Sequence, residues 1–124
     1  MRVLLWLLLP LILWSEENIE KNSTESFITD YEYGEMLYSN PRGVSCAECH
    51  GDSGEGKSIV HYQDIHGKKE LRGSDIRKST LSRMILALNT YHEIMPRYYL
   101  TDDEVETIYK YLRKKYKKDL KVKD

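Results

Sequence analysis

"VSCAECHGDSGEG", residues 44–56, holds both cysteines of this 124-residue chain, three positions apart, with a histidine directly behind the second. Cys46, Cys49 and His50 in that order suit three chemistries: a redox dithiol, two ligands of a zinc site, or a covalent anchor for haem. Five residues cannot choose among them, so the flanking sequence has to. Three glycines in residues 51–58 prevent regular structure and make that stretch a loop.

Upstream, Phe27, Tyr31, Gly34 and Tyr38 fall at spacings of four, three and four, one stripe of a helix over residues 25–39. Asn40-Pro41 ends it, because the residue before proline is pushed away from helical angles. Gly34 inside the stripe costs about 1 kcal/mol relative to alanine, which a close-packed partner helix can offset. Downstream, residues 59–79 show scattered apolar positions and read as irregular, with no alternating strand pattern of useful length. Leu81, Met84, Ile85 and Leu88 mark a second helical face from Thr80 to about Asn89. The last helix is the clearest, over about 101–117. Thr101 and Glu104 form a capping box, Leu100 and Val105 stand at staple positions, and Val105, Ile108, Tyr109 and Leu112 run down one side. Lysine and arginine crowd its far end, where the helix dipole favours them. The chain is expected to be all-α, three main helices around a long irregular middle.

The first residues, "MRVLLWLLLPLILWS", carry one arginine and an apolar run from Val3 to Trp14. Twelve residues are too few to span a bilayer as a helix, which takes about 20. They match the apolar core of a secretory signal. Residues 1–15 are therefore read as a signal peptide or short N-terminal anchor, and 16–25 as a flexible lead. The domain follows over 26–117, and 118–124 as a charged tail. Taking Arg2 from 19 basic residues against 20 acidic ones leaves a net charge of −2, which gives no reason to expect nucleic-acid binding. Ten tyrosines against one phenylalanine suit a small domain that covers something apolar while keeping its hydroxyls toward water.

With export expected, the three chemistries separate. Zinc would recruit His61 and His66, in C-x2-C-x11-H-x4-H order, but the intervening span lacks an aromatic residue to pack a finger and leaves His50 without a role. A thioredoxin-like dithiol needs a βαβ sheet to place its cysteines at a helix N-terminus, and no sheet is expected. A disulfide three residues long constrains little of the unfolded chain. Haem attachment uses every residue: Cys46 and Cys49 form thioethers to the two vinyl groups and carry His50 under the iron as proximal ligand.

The opposite face of the iron then needs a ligand. Met36, Met84, Met95, His61, His66 and His92 are the candidates. Met84 lies on an apolar helical stripe and Met36 in the first helix, so both read as packing residues, and His61 and His66, close to the glycine-rich loop, have nothing to fix their approach. Met95 precedes Pro96 in a non-helical link, the rigid extended presentation a ligand needs, so His50 and Met95 are the expected axial pair, with His92 next. A thioether ligand raises the potential where a second histidine lowers it.

"YGEMLYSNPRGVSCAECHG" together with "IMPRYYLTDDEVETIYKYL" resembles the small bacterial class I monohaem c-type cytochromes, over residues 26–116. The resemblance implies one haem c held by Cys46, Cys49, His50 and Met95, and a cytochrome c fold whose N- and C-terminal helices cross. Gly34 and Tyr38 would then meet Ile108 and Tyr111. It implies a monomeric electron carrier, not an enzyme, working in the periplasm or tethered there. Its partners would be redox proteins such as a quinol-oxidising complex, a terminal oxidase or a peroxidase. Two departures stand out. Residues between Tyr38 and Cys46 include an extra loop, "SNPRG". No proline lies between His50 and Met95 to accept the proximal histidine's N–H, so a carbonyl within residues 57–73 is expected to serve. Arg72, Arg77 and Arg97 are candidates for the haem propionates, or simply exposed charge. A haem-based sensor whose Met95 leaves the iron, and a zinc-binding module, are the alternative readings.

Overall fold

A computed structural model describes residues 27–123. Its elements run α1 (Asp30–Ser39), α2 (Cys46–His50), β1 (Ser58–Asp64), β2 (Gly67–Arg72), α3 (Leu81–Asn89) and α4 (Asp102–Val122). The signal and lead segments lie outside the described residues.

α1 and α4 begin the same way. Thr29 and Thr101 each accept a hydrogen bond from the backbone N–H three residues on, while Glu32 and Glu104 reach back to the N-cap N–H. Two donors are thus satisfied at each end. α1 starts at Asp30, later than the stripe suggests, because the Thr29 box sets the boundary. Phe27 lies ahead of it, fully exposed, and Met36 is 56% exposed on the outer face of α1 instead of packing. α4 runs five residues beyond the expected end, its lysines continuing the helix to Val122.

The two helices meet at Gly34. A Cβ there would lie 2.6 Å from Tyr111 Cβ and 2.7 Å from the Thr107 carbonyl oxygen, so only glycine permits this approach. The expected contact with Tyr111 is present, and Thr107 completes the Gly34 crossing point. Around it the Tyr111 ring stands 5.1 Å from that of Tyr31 and 5.8 Å from that of Tyr38. Leu37, Tyr38, Met84, Val105, Ile108, Tyr111 and Leu112 form one core drawn from α1, α3 and α4, with Leu100 packed against it.

The expectation of no strand is corrected. β1 and β2 pair antiparallel, Val60 opposite Leu71 and Asp64 opposite Gly67. Asp64 accepts a 2.7 Å bond from the His66 N–H, and Gly67 follows at φ 110°. An aspartate opening the turn and a glycine closing it in the left-handed region are what a type I hairpin turn requires. Both faces of the hairpin are largely exposed, so its side chains have no reason to alternate.

Candidate haem site

α2 is the cysteine–histidine stretch itself, and polar groups on both sides of it hold it in place. Ser45 caps its start, accepting from the Ala47 N–H at 3.2 Å. Just ahead of it, the Tyr98 hydroxyl donates to the Val44 carbonyl at 2.7 Å. Behind it, the Tyr38 hydroxyl donates to the Gly51 carbonyl at 2.6 Å. Burial pushes the Tyr98 phenol up to about 12 and the Tyr38 phenol higher still, so both remain protonated donors. Beyond α2 the chain returns on itself: the N–H groups of Gly56 and Lys57 donate to the His50 and Cys49 carbonyls at 2.6 and 2.9 Å. Those bonds fasten the base of the hairpin to the C-terminal end of α2. Gly73, leaving β2, presses against the Cys49 backbone with no room for a Cβ.

Behind this seam, His50 Nδ1 lies 2.8 Å from the Ser74 carbonyl. A carbonyl only accepts, so Nδ1 carries the proton and Nε2 keeps its lone pair free. The expected acceptor was sought in residues 57–73; it is one residue further on, in the segment that Gly73 brings against α2.

Nε2 belongs to a residue that lines a cavity of about 510 Å³. α2 contributes Cys46, Cys49 and His50 to its wall, and the hairpin contributes Ile59, Leu71 and Arg72. Ile76, Met84, Leu88 and Ile108 supply apolar floor. The link between α3 and α4 closes the far side with His92, Ile94, Met95, Pro96 and Tyr98. Size and lining suit an organic group that is mostly apolar with a few fixed polar contacts. Both cysteines are free thiols and partly buried. Burial, with a smaller contribution from Cys49, pushes the Cys46 thiol up to about 11, so it is protonated at neutral pH unless attached.

The sequence-predicted residues divide cleanly. Cys46, Cys49, His50, Met84, His92 and Met95 all reach the cavity; Met36, His61 and His66 do not line it. His61 Nε2 faces the Ser58 hydroxyl at 3.2 Å on the hairpin, and His66 sits in its turn. Among the described residues no three His, Cys, Asp or Glu side chains converge to hold a metal ion. Of the three arginines, only Arg72 lines the cavity, its guanidinium also donating to the Gly56 carbonyl at 3.0 Å. Arg77 is paired with Asp75, and Arg97 stands over the Tyr99 ring at 6.0 Å. The hairpin wall and Ser74 were missed from sequence. The pattern D-x-x-G at residues 64–67, flanked by Ile59, Val60 and Tyr62, was the available signal for the hairpin. Ser74 acts through its backbone and has no signal.

The donor set fits a covalently held haem: two thiols and an imidazole nitrogen on one wall, an apolar enclosure, and a thioether on another segment. No curated protein matches the chain, and no solved structure does. The family model for cytochrome c matches residues 31–115, from the first turn of α1 to the middle of α4, and spans every element that walls the cavity. Cysteines at CxxCH spacing, the histidine behind them and this match carry one conclusion: the chain belongs to the cytochrome c family, whose members transfer electrons through a covalently bound haem.

Proposed function

We propose that the protein is a bacterial class I monohaem carrier, with His50 and Met95 as axial ligands, that shuttles single electrons in the periplasm. Haem, when bound, supplies an iron that alternates between the ferrous and ferric states. The chain's own residues hold and orient that iron and exclude water from it.

The observation that carries the reading is the commitment of the competing ligands. Three distal candidates reach the cavity. His92 has its Nε2 2.8 Å from the Ala87 carbonyl, where it caps the end of α3. Met84 is buried in the helical core. Met95, partly buried beside Pro96, is the side chain left with no other task. Proline fixes its own φ and restricts the residue before it, so the Met95 backbone is stiff. A neutral thioether favours ferrous iron, which suits a carrier of raised potential. With His50 and Met95 both holding the iron, the site would pass electrons and would offer no open position to oxygen or peroxide.

Ile94 and Ile59 are 58% and 39% exposed at the cavity wall, an apolar rim for brief docking. Electron-transfer complexes use small interfaces of this kind. A quinol-oxidising complex, a terminal oxidase or a peroxidase would supply or take the electron, with the carrier acting as a monomer. No helix among the described residues is long and apolar enough to cross a membrane.

Absorption spectra in both oxidation states test the ligation. A weak charge-transfer band near the red end of the oxidised spectrum, and no prompt change when carbon monoxide meets the reduced protein, are expected. Rapid carbon monoxide binding would instead make the protein a haem-based sensor whose Met95 leaves the iron.

A further inference from the structure

The C-terminal half of α4 carries a groove of about 440 Å³, lined by Tyr31, Lys114, Lys117, Lys118 and Lys121. The lysines stand at i, i+3, i+4 and i+7, so they share one face of the helix over about 10 Å. The groove wall is mostly apolar, and the Tyr31 ring in it is packed against the core. A lysine is a carbon stem under a charged tip, so such a wall carries ammonium groups along its rim. Lys114 is held over the Tyr31 ring at 4.9 Å, and none of the four lysines makes an ion pair among the described residues. Lys110, one turn earlier, pairs with Glu106 at 2.7 Å. Four like charges on adjacent turns repel, which favours an occupant that brings carboxylates.

The chain itself leads to this groove. α1 and α4 cross antiparallel: Gly34 meets Thr107 and Tyr111, and Tyr31, one turn earlier in α1, meets Tyr111 and Lys114, one turn later in α4. Backward along α1 is thus forward along α4, toward Lys117 and Lys121. Phe27, four residues ahead of Tyr31 and fully exposed, is the first described residue, and residues 16–26 precede it. Their sequence, "EENIEKNSTES", sets four glutamates against one lysine and holds one large apolar residue, Ile19, between Glu17 and Glu20. Glu20 lies seven residues before Phe27, a reach of up to about 24 Å, which covers the length of the groove. Being tethered, the segment is present at an effective concentration in the millimolar range, which a free anion has to exceed.

We propose that residues 16–25 lie back along this groove, Ile19 on its apolar wall and Glu16, Glu17 and Glu20 against the lysine rim. The segment matches the groove in charge, in its single apolar side chain and in the point at which the chain enters. None of the groove residues lines the haem cavity, so the docked segment leaves the cavity mouth to redox partners. Docking there is independent of which side chain is the distal iron ligand.

Carbodiimide coupling of the purified holoprotein, which joins carboxylates to amines in contact, tests the placement by peptide mass mapping. Links from Glu16, Glu17 or Glu20 to the four lysines within one chain are expected. They should fall away at about 0.5 M salt, where screening is short-ranged. Cleavage after Glu20 by a glutamate-specific protease gives a second reading. It should run about five-fold faster in K114Q/K117Q/K118Q/K121Q than in the parent, the effect of several exposed ion pairs on the population of the undocked segment. The haem spectrum should stay as in the parent, since the four lysines are exposed. The variant K57Q/K68Q/K69Q/K78Q carries the same change in net charge on other surfaces and should be cut at the parental rate. Equal acceleration in both variants would reduce the effect to net charge and overturn the proposal. Links that join two chains and disappear on dilution would give the groove to the lead of a second copy. No link within the chain, with parental cleavage in the stripe variant, would give it to an outside anion. Either result overturns the proposal, as would a mature chain that begins beyond Glu20.

Discussion

Gly73 lies against the carbonyl of Cys49 so closely that a Cβ on it would overlap that group. The obstacle is backbone on both sides, so no side-chain rotation relieves it. Gly73→Ala must separate the hairpin base from α2, breaking the bond between Lys57 N–H and the Cys49 carbonyl and shifting Ser74 from His50. Destabilisation of about 3 kcal/mol or more is expected, at the upper end of what single substitutions do. Urea unfolding of the holoprotein measures it, and haem incorporation should fall in parallel. A variant of parental stability would mean that the seam between hairpin and α2 is not what shapes the site.

Gly34 makes the matching case on the other side of the core. Alanine is better than glycine in a helix by about 1 kcal/mol, so propensity alone predicts a gain. The packing predicts the reverse, because the added Cβ meets Tyr111 Cβ at 2.6 Å and the Thr107 carbonyl at 2.7 Å. Gly34→Ala should lose about 2 kcal/mol net, overpacking outweighing propensity. Thermal unfolding with an unchanged or raised midpoint would show that α1 and α4 can part without loss.

Met84 and Met95 both reach the cavity, and replacing each tells them apart. Met84→Leu conserves volume in the core, so it should cost under about 1.5 kcal/mol and leave the oxidised spectrum unchanged. Met95→Leu should abolish the sulfur charge-transfer band and admit carbon monoxide to the reduced protein. Met95→His should lower the potential, since imidazole favours ferric iron more than a thioether does. If the band survived in Met95→Leu and vanished in Met84→Leu, the ligand assignment would be reversed.

The helices and the cysteine–histidine stretch were legible because their signals are carried by side chains: apolar spacing in α3 and α4, the Thr101–Glu104 box, Cys46, Cys49 and His50. The Gly34 crossing was legible as a glycine out of place in a stripe. What escaped was carried by backbone or by exposure. The hairpin wall has two exposed faces and so no alternation; only Asp64 and Gly67 betray it. Ser74 serves His50 through a carbonyl that any residue would supply. Phe27 fits the spacing of the stripe and draws the expected start of α1 too early, whereas the Thr29–Glu32 box, equally readable, sets the actual boundary. Met36 reads as a packing residue only from its place in the first helix, and it faces solvent.

Arg42 gives the extra loop before α2 a measurable role. It adopts φ 62°, and its guanidinium makes two 2.7 Å bonds to Glu104 and a 2.8 Å bond to the Tyr99 carbonyl. The loop is thereby tied to the start of α4 and to the link that carries Met95. Arg42, with the Thr101 backbone N–H behind it, holds the Glu104 carboxyl down from 4.5 to about 2. A depressed carboxylate stabilises the fold above its unfolded value and loses that contribution as pH falls toward the folded one. The difference in urea midpoint between the parent and Arg42→Gln should therefore be present at pH 7 and shrink between about pH 4.5 and pH 2. It should be small throughout, as for exposed pairs, and fall with salt. A difference that held constant down to pH 2 would locate the effect in the loop backbone and not in the ion pair.

Tyr38 joins the core to the haem site by one hydroxyl. Its ring is buried against Tyr111, and its O–H donates to the Gly51 carbonyl, the group that follows His50. Tyr38→Phe keeps the ring and leaves that carbonyl with only the long 3.4 Å bond from the Gly54 N–H. The loss should be about 1 kcal/mol, that of one good hydrogen bond, and the ring packing should keep the fold. His50 is held separately, by Ser74, so the axial ligand field and the oxidised spectrum should not change. Guanidinium unfolding and a spectrum of the same sample measure both halves. Full stability would mean that the Gly54 N–H alone satisfies the Gly51 carbonyl; an altered spectrum would mean that α2 depends on the hydroxyl for its placement.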